Sequence, residues 1–359
     1  MRVAIIARST LYAVPGGDMV QAVQTAKHLK DLGVMVDIKL SNETIDYQQY
    51  DLLHFFNLIR PADILYHSQK AGKPYVVSTI LVDYSEYDRQ HRKGLGALFG
   101  YLPGNSIEYI KTIARWLLGR DHLASLSYIW KGQRRSIMEI LNKAQIILPN
   151  SESEYRRVMK AYPSVVKYSV VPNGIAPKLF QYDPSVKKND NLVLCVARIE
   201  GIKNQLNLIK ALNNSRFKLV LIGNHTVNQQ TYYNECRSIA AANIEFIEHL
   251  PQQELVAYYQ KARVHILPSW FETTGLSSLE AAVMNCNLVI TDKGDTREYF
   301  EDQITYCDPA SPQSILAAVE QASTKAHDEQ LREKVLKKYT WGQAAYCTHR
   351  AYQLVRAAT

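Results

Sequence analysis

Two glutamates lie around the expected start of a helix in the second half of the chain. Residues 268–281 read PSWFETTGLSSLEA, with Glu272 in the loop after a predicted strand and Glu280 inside the helix. Residues 273–276 would present backbone N–H groups at the positive end of the helix dipole, which binds anions. The two carboxylates suit sugar hydroxyls, because a carboxylate can accept hydrogen bonds from both oxygens of a vicinal diol. The segment therefore predicts an anion site beside a ribose or a hexose, although either acid alone would also fit an ordinary solvated helix.

A second charged segment follows another predicted strand. Residues 197–204 read ARIEGIKN, and Arg198 and Lys203 stand on either side of a glycine-containing turn. Two cations at this spacing can bind one diphosphate, since arginine offers a fork of donors and lysine a point charge. We expect this loop at the same sheet edge as the Glu272 loop, because parallel strands end at one edge. Solvated surface cations are the alternative explanation for the pair taken alone.

A glycine-rich loop follows the first predicted strand, where Gly16 and Gly17 stand in the run PGGD. The dinucleotide fingerprint Gly-x-Gly-x-x-Gly is absent from this run. Two glycines in series instead permit a tight loop whose backbone can approach a ligand closely. A flexible turn between strand and helix is the alternative.

Short apolar strands alternate with helices twice along the chain, and this alternation must position the three loops. The predicted strands lie at residues 3–7, 34–40, 52–56, 75–80, 145–148 and 168–171, and then at 192–196, 218–222, 244–247, 264–267, 288–291 and 304–307. Strand–helix alternation is typical of parallel sheets covered by helices on both faces. The sequence therefore predicts two similar α/β domains with a cleft between them.

Several helix starts and one linker can also be placed. Ser151 and Glu154 form a capping box directly after a strand. Pro251 and Pro312 stand at positions that open helices. The polar run 183–191 is interpreted as a linker, and residues 331–358 follow a helical pattern.

The composition fits a folded protein of two domains. The chain has 359 residues, of which 47% are hydrophobic and 21% charged. No stretch approaches the ~18 apolar residues of a membrane helix, and the N-terminal apolar run is too short for a signal peptide, so we expect a cytoplasmic protein. The five cysteines contain no CxxC pair, which argues against a zinc site and a disulfide framework. They are interpreted as buried small hydrophobes.

The positive charge is concentrated in one part of the chain. The net charge is +8, and residues 89–135 hold nine Lys or Arg against two acids, a local net charge of +7. This distribution disfavours general nucleic-acid binding and favours one local anionic partner. Residues 107–118 have the pattern of a basic amphipathic helix with Trp116 beside it, which is typical of contact with anionic lipid headgroups. An ordinary packed helix is the alternative.

Together these residues resemble the retaining glycosyltransferases of the GT-B fold, the family-4 or glycosyl transferases group 1 type. The resemblance rests on two acids separated by seven residues and on the Arg…Lys loop, here Glu272, Glu280, Arg198 and Lys203. Further matches are the Gly-Gly loop, the run Pro-Asn-Gly at 172–174 and the Asn-Ser step at 150–151. It covers most of the chain and is strongest from about residue 150 to residue 306.

The resemblance implies an α/β fold of two Rossmann-like, doubly wound domains that face a cleft. The N-terminal domain would bind the acceptor and comprise residues 1–172, together with a C-terminal helix at about 345–359 that crosses back to it. The C-terminal domain, residues 173–344, would bind the nucleotide sugar.

The resemblance also assigns site residues. Arg198 and Lys203 would hold the diphosphate, Glu272 would contact the donor sugar, and Asp83 would take the place of a His that follows the fourth strand in many members. Donor-binding positions would be Gly16, Gly17, Asn173, Gly223, Thr274, Gly275, Leu276 and Glu280. Thr274 departs from the family's pattern, which often has Phe before this glycine. The basic residues Arg92, Lys111 and Arg115 are expected on the acceptor or membrane side.

The implied activity is transfer of a hexosyl group from a UDP- or GDP-linked sugar to a saccharide or lipid-diphosphate-linked acceptor, with retention of configuration. We expect no cofactor and no metal, because the cations and the helix start can meet the leaving charge and no Asp-x-Asp occurs. The expected setting is assembly of cell-surface polysaccharide such as O-antigen or capsule, at the inner face of the cell membrane. The alternatives are a sugar-nucleotide epimerase or phosphorylase of the same fold and a non-catalytic sugar-nucleotide-binding protein. A nicotinamide dehydrogenase lacks its glycine fingerprint here.

Overall fold

The computed structural model describes residues 1–91, 109–110, 112–114, 116, 125 and 127–358, which form two compact units. The first unit comprises Met1–Leu81, Ser85–Asn173 and Trp341–Thr359, and the second comprises Val82–Tyr84 and Gly174–Thr340. The sequence predicts domain boundaries after residue 172 and near residue 345. In the structure the units divide after residues 173 and 340.

The first unit is built on a parallel sheet of five strands in the order β2-β1-β3-β4-β5. The strands are β1 (Arg2–Ala7), β2 (Met35–Leu40), β3 (Leu52–Phe56), β4 (Tyr75–Ser78) and β5 (Ile146–Leu148). Its helices are α1 (Gly17–Asp31), α2 (Pro61–Ala71), α3 (Ser85–His91), α4 (Ser127–Lys143), α5 (Glu152–Ala161) and the C-terminal α13 (Trp341–Ala358).

The second unit has a parallel sheet of six strands in the order β11-β10-β9-β6-β7-β8. The strands are β6 (Asn189–Val196), β7 (Lys218–Ile222), β8 (Ile244–Ile247), β9 (Ala262–Leu267), β10 (Asn287–Thr291) and β11 (Thr305–Cys307). The helices are α6 (Gln205–Leu212), α7 (Gln230–Ile239), α8 (Gln252–Lys261), α9 (Leu276–Val283), α10 (Thr296–Phe300), α11 (Pro312–Thr324) and α12 (Glu329–Lys338).

The order of the second sheet reverses between β6 and β9. From β6 the chain proceeds outward to β7 and β8, and from β9 it proceeds to β10 and β11 on the other side. The connections after β6 and β9 therefore lead to opposite sides of the sheet, which places a topological switch point at the carboxyl ends of these two strands. In doubly wound sheets this is the place where ligands bind.

Alternate residues of the second sheet pack on opposite faces. Leu194, Val220 and Ile290 lie in one buried cluster with residues of α8, α9 and α12. Val193 and Leu221 lie in the other cluster with residues of α6 and α11. Both faces are thus covered by helices, and the prediction of an α/β fold with two parallel sheets is confirmed.

Two predicted elements are wrong in detail. Residues 168–171 form no strand. Within this run only Tyr168 pairs with the short strand β5, through a single bridge to Ile147. The run 183–191 is not all linker, since β6 begins at Asn189. Just before it, the buried Lys188 donates from Nζ to the carbonyls of Ala262 and Met284 at 2.9 Å each, which fixes the start of the strand.

The C-terminal helical run is also divided. It forms α12 and α13, which are separated at residues 339–340, where Thr340 pairs with Ile175. Helix α13 belongs to the first unit, where the Tyr352 hydroxyl lies 2.7 Å from His54 Nδ1. The other ring nitrogen of His54 lies 2.9 Å from Ser78 Oγ, so a buried polar contact ties this helix to β3 and β4.

Two further sequence expectations can be compared with the structure. All five cysteines are free, and four of them are buried while Cys347 is partly exposed. Among the residues described, no helix is both long enough and apolar enough to cross a membrane.

Candidate active site

The loops after β6 and β9 are joined by hydrogen bonds at the carboxyl edge of the second sheet. The Trp270 amide donates to the carbonyl of Ile202 at 2.9 Å, and the Asn204 side chain donates to the carbonyl of Pro268 at 3.1 Å. Asn204 has a positive φ of 63°, which asparagine tolerates better than most residues. The two segments identified from the sequence therefore form one continuous surface.

Lys203 and Glu272 form an ion pair on this surface. Lys203 Nζ lies 2.7 Å from Glu272 Oε2, and the Ser269 hydroxyl donates to the same oxygen at 3.1 Å. Burial opposes the charge of Lys203, but the charge of Glu272 and its hydrogen bond outweigh burial and raise the pKa of Lys203 above its usual value. The pair is thus a charged, partly buried contact 69 residues apart in the sequence.

Arg198 is oriented differently. Its Nη2 lies 3.0 Å from Glu200 Oε1, and the side chain is 42% exposed. Its backbone carbonyl accepts a hydrogen bond from Gln205 Nε2 at 2.9 Å, which fixes the loop but leaves the guanidinium at the surface. The structure therefore brings Lys203 to Glu272, while Arg198 contacts its own loop.

Glu280 lies one turn into α9 and is buried, with 8% of its surface exposed. Gln252 Nε2 donates to its Oε1 and the Tyr259 hydroxyl donates to its Oε2, both at 2.9 Å. Burial raises the pKa of Glu280 to about 7, and the two hydrogen bonds oppose that rise. The two predicted carboxylates thus have unlike partners, a cation for Glu272 and neutral donors for Glu280.

Glycines allow the Glu272 loop to pack closely. Gly275 is the N-cap of α9 with a φ of +71°, and a Cβ there would lie 3.0 Å from Ser278 Oγ. Gly294, which follows β10, has a φ of +98°, and a Cβ there would collide with the backbone of Glu272. Both positions favour glycine for conformation, and Gly294 also has no space for a Cβ.

The remaining predicted donor residues of the second unit lie near these loops. Thr274 is buried and Leu276 is the first, partly exposed residue of α9. Gly223 follows β7 with a φ of +150°, and a Cβ there would collide with the carbonyl of Ala197 in the β6 loop. The last predicted donor residue, Asn173, belongs instead to the first unit, where it is buried and ends the segment Ser85–Asn173.

Gly16 and Gly17 lie in the first unit, at the start of α1. Neither has a positive φ, and a Cβ at Gly17 would meet nothing within 4 Å, so the backbone itself does not demand glycine here. The loop is held by Arg8, whose Nε donates to Asp18 Oδ2 at 2.6 Å and whose Nη2 donates to the carbonyl of Val14 at 2.7 Å. Close approach of this backbone to a ligand therefore stays a prediction for the glycine pair.

The other predicted positions can be placed only in part. Asp83 is exposed and lies in the segment Val82–Tyr84, which belongs to the second unit. Arg92, Lys111 and Arg115 lie outside the residues that the structure describes.

Several residues of the site were not identified from the sequence. Tyr259 and Gln252 stand seven apart on α8, a spacing that puts them on one helix face. That spacing was the available signal, but it does not say which distant acid they meet. Ser269 and Gly294 carried no signal beyond their proximity to the predicted loops of the second unit. The same is true of Arg8 at the glycine loop of the first unit.

Comparison with known proteins adds a family match in the second unit. Residues 180–339 match the model of the family described as Glycosyl transferases group 1. D-inositol 3-phosphate glycosyltransferase from Acidothermus cellulolyticus is 25% identical over 179 residues, which cover 44% of this chain and 40% of that protein. Glycogen synthase from Mycobacterium tuberculosis is 25% identical over 203 residues, which cover 53% and 49%. The chain thus spans about half the length of these curated relatives.

Solved structures resemble the whole chain. Sucrose-phosphate synthase from Thermosynechococcus elongatus gives a TM-score of 0.77 at 15% identity, with both chains covered fully. Anabaena HepE in complex with UDP and glucose gives 0.71 at 14% identity, covering 98% of this chain and 99% of that one. At these identities the likeness concerns the fold, and the expected pair of Rossmann-like domains of the GT-B type is confirmed.

Proposed function

We propose that this chain is a retaining glycosyltransferase that transfers a hexosyl group from a nucleoside diphosphate sugar to a saccharide or lipid-linked saccharide. The observation that carries the proposal is the meeting of Lys203 and Glu272 at the switch point of the second sheet, with Glu280 on the helix that starts there. The family match over residues 180–339 supports it. The UDP and glucose held by Anabaena HepE make UDP-glucose the first donor to test, with GDP-linked sugars next.

The leaving group determines what the site must supply. When the bond between the anomeric carbon and the diphosphate breaks, the electron pair stays on the diphosphate. The acceptor hydroxyl oxygen forms the new bond to the anomeric carbon, and its proton passes to the departing diphosphate oxygen. Lys203, Arg198 and the N-terminus of α9 provide positive charge and N–H donors for this oxyanion. On this proposal no metal or other cofactor takes part in the step.

The carboxylates would bind hydroxyl groups of the donor. Glu272, fixed by Lys203 and Ser269, would accept hydrogen bonds from the transferred sugar. Glu280 would accept hydrogen bonds from the ribose hydroxyls. Asp83, in the segment Val82–Tyr84, would face the transferred sugar. The proposed donor contacts at Gly16, Gly17, Asn173, Gly223, Thr274, Gly275 and Leu276 are mainly backbone contacts.

The acceptor is proposed to carry negative charge. The excess positive charge of residues 89–135 would suit a lipid-diphosphate-linked saccharide at an anionic membrane surface, with Arg92, Lys111 and Arg115 on that side. Such an enzyme would work in the cytoplasm at the inner face of the cell membrane, in assembly of O-antigen or capsule. Nucleic acid is not a proposed partner.

The test measures release of nucleoside diphosphate from UDP- and GDP-sugars with and without a panel of saccharide and lipid-linked acceptors. We expect release that depends on the acceptor and continues in excess EDTA. Lys203→Ala should lower turnover, because it removes about 2–4 kcal/mol of transition-state stabilisation, the range for the loss of one preorganised donor.

Lys210→Ala is the matched control, because Lys210 is exposed on α6 and should leave turnover unchanged. Interconversion of the sugar nucleotide without an acceptor would indicate an epimerase, and binding without turnover would indicate a sugar-nucleotide-binding protein. Loss of activity in EDTA that Mg²⁺ or Mn²⁺ restores would contradict the metal-free step.

A further inference from the structure

The hydrogen bonds to the Glu280 carboxylate leave part of the acceptor capacity of each oxygen unused. Each carboxylate oxygen accepts one bond, Oε1 from Gln252 and Oε2 from Tyr259. A carboxylate offers about four acceptor positions, two on each oxygen. One position therefore remains on each oxygen, and the two donors on α8 determine how the carboxylate is rotated.

Tyr259 is itself rigidly held. It is fully buried, and its ring centroid lies 6.0 Å from that of Phe180 and 5.9 Å from that of His265. Because the rings of Phe180 and His265 restrict its ring, the Tyr259 hydroxyl points in one direction, toward Glu280. The residue touches neither Lys203 nor Glu272 through any hydrogen bond, so its polar group serves Glu280 alone.

We propose that Tyr259 and Gln252 are positioning residues that hold the Glu280 carboxylate with one acceptor position on each oxygen directed to the vicinal hydroxyls of a ribose. The inference rests on the proposed function, since it assumes that a ribonucleotide binds at this site. It gives the site a means to distinguish ribonucleotides from nucleotides that lack the two hydroxyls. Buried groups built to hydrogen-bond a hydroxyl reject analogues without it, because they are then left unpaired.

The arrangement makes ribose recognition depend on pH. Burial raises the pKa of Glu280 to about 7, and its hydrogen bonds with Tyr259 and Gln252 lower it. Below this pH the carboxyl is protonated and loses acceptor capacity, so ribose binding weakens. Removal of the Tyr259 hydroxyl takes away one bond that favours the charged form, so the pH at which binding weakens should move upward.

Three titratable groups packed around the pair stay uncharged near neutral pH. Cys195 on β6 and Cys286 beside β10 are buried, which raises the pKa of Cys195 to about 12 and raises that of Cys286. Burial lowers the pKa of His265 on β9 to about 3. None of them should titrate between pH 6 and pH 8.

Two cations, one on α12 and one just before β6, donate to backbone carbonyls at the end of α9. Arg332 on α12 donates from Nε to the carbonyl of Val283 at 3.1 Å. Lys188 donates to the carbonyl of Met284 at 2.9 Å. Neither forms an ion pair with Glu280, but burial lowers the pKa of Lys188 below its usual value. The part of the pH dependence that Glu280→Gln removes is therefore the part that reports Glu280.

The experiment compares two ligands that differ only in the ribose hydroxyls. UDP, GDP and ADP are first screened by thermal shift, and the tightest is titrated by calorimetry beside its 2′,3′-dideoxy counterpart from pH 6 to pH 8.5. The phosphates titrate near pH ~6 in both ligands, so their effect on binding cancels when the two affinities are compared. The affinity of the ribonucleotide divided by that of its dideoxy counterpart therefore measures the contribution of the ribose hydroxyls. For the unchanged protein this ratio should fall as the pH drops below about 7.

Tyr259→Phe should lower the affinity ratio about tenfold at pH 8 and move its midpoint upward by about one pH unit, the scale of one hydrogen bond to a charged group. Gln252→Ala, at the more exposed start of α8, should act in the same direction and serves if Tyr259→Phe fails to fold. Tyr75→Phe is the control, since it removes a buried hydroxyl that donates to the carbonyl of Ile140 in the first unit.

The outcomes separate the two proposals. If none of the three nucleotides binds, the proposed function fails. A second outcome is that the nucleotides bind with a preference for the ribonucleotide that Glu280→Gln abolishes. If Tyr259→Phe and Gln252→Ala then leave that preference unchanged, the proposed function survives and the positioning role is overturned. The role is also overturned if Tyr75→Phe lowers the ratio as much as Tyr259→Phe does.

Discussion

At the scale of single residues, Glu280 imposes a cost on the folded protein. Its carboxyl is buried and bonded only to the neutral side chains of Gln252 and Tyr259, whereas Glu272 faces the ammonium group of Lys203. A buried carboxylate without a cation is destabilising, because desolvation disfavours its charged form. A residue kept in this setting is expected where a ligand needs it rather than where the fold does.

This cost predicts a pH-dependent effect of Glu280→Gln. The pKa of Glu280 is about 7 in the folded protein against 4.5 for a free side chain, so between these values the folded state binds a proton that the unfolded state has released. Stability therefore falls as the pH rises through this window. The neutral variant escapes the loss and should gain on the order of 2–3 kcal/mol at pH 8, and little at pH 4.5, in urea unfolding.

Glu320→Gln on α11 is the matched control, because Glu320 is exposed and the same change of charge should not alter the pH slope. A difference between Glu280→Gln and the unchanged protein that is equal at both pH values would contradict the assignment of the buried charge.

At the scale of elements, local signals could be predicted and distant pairings could not. The capping box was visible because its residues are three apart, and the Ser151 hydroxyl does accept from the Glu154 amide at 2.9 Å. The carboxylate of Glu154 also reaches the Leu81 amide at 2.7 Å, 73 residues away. That contact depends on β4 and β5 being neighbours, which no local pattern reveals.

The candidate site shows the same division. Glu272 and Glu280 were found from their spacing, and the sheet edge from the strand–helix alternation. The pairing of Lys203 with Glu272 follows from β6 lying beside β9, so it required the strand order. The orientation of Arg198 toward Glu200 depends on side-chain rotamers, on which spacing has no bearing.

The connection between β10 and α10 is expected to control the Glu272 loop. Glu272 and Gly294 form a bridge, with the Glu272 amide donating to the carbonyl of Lys293 at 3.2 Å and the Asp295 amide donating to the carbonyl of Glu272 at 2.9 Å. Gly294→Ala should push this backbone apart and displace Glu272 from Lys203. We expect nucleotide-sugar turnover to fall at least about 100-fold, because a small displacement of a positioned group has an effect of this size. The free energy of unfolding should fall by ~2–4 kcal/mol.

Gly33→Ala provides the control for backbone conformation. Gly33 also has a positive φ, of 79°, but a Cβ there would meet nothing within 4 Å. It should cost only the ~1–2 kcal/mol of placing alanine in the left-handed region and leave turnover intact. If both variants lost the same stability and kept their activity, the collision with Glu272 would have no functional consequence.

At the scale of the whole molecule, the positive charge is concentrated in one window of the sequence. A net charge of +8 arises almost wholly from residues 89–135, and the second unit's site does not account for it. In the described part of this window, Trp130 on α4 is 87% exposed and Arg134 and Arg135 are exposed. An exposed tryptophan among arginines is the composition expected at an interface with anionic headgroups.

This distribution predicts salt-sensitive binding to anionic membranes. Each Lys or Arg near such a surface contributes about 1 kcal/mol, and salt screens the attraction within a Debye length of ~10 Å at 0.1 M. The protein should sediment with phosphatidylserine vesicles at low salt, remain free with neutral phosphatidylcholine vesicles, and be released near ~0.5 M salt. The double reversal of Lys111 and Arg115 to Glu should abolish sedimentation while leaving nucleotide affinity intact.

The control for the double reversal places the same change of charge elsewhere in the first unit. Lys27 and Lys30 are exposed on α1 outside the basic window, so their reversal to Glu lowers the net charge equally and should weaken vesicle binding only slightly. Binding that persists at high salt would show that the attraction is not electrostatic, because salt screens interactions between charges. Equal weakening by both double variants would show that total charge rather than residues 89–135 governs the attraction. In either case the basic window would serve a soluble anionic acceptor rather than a membrane surface.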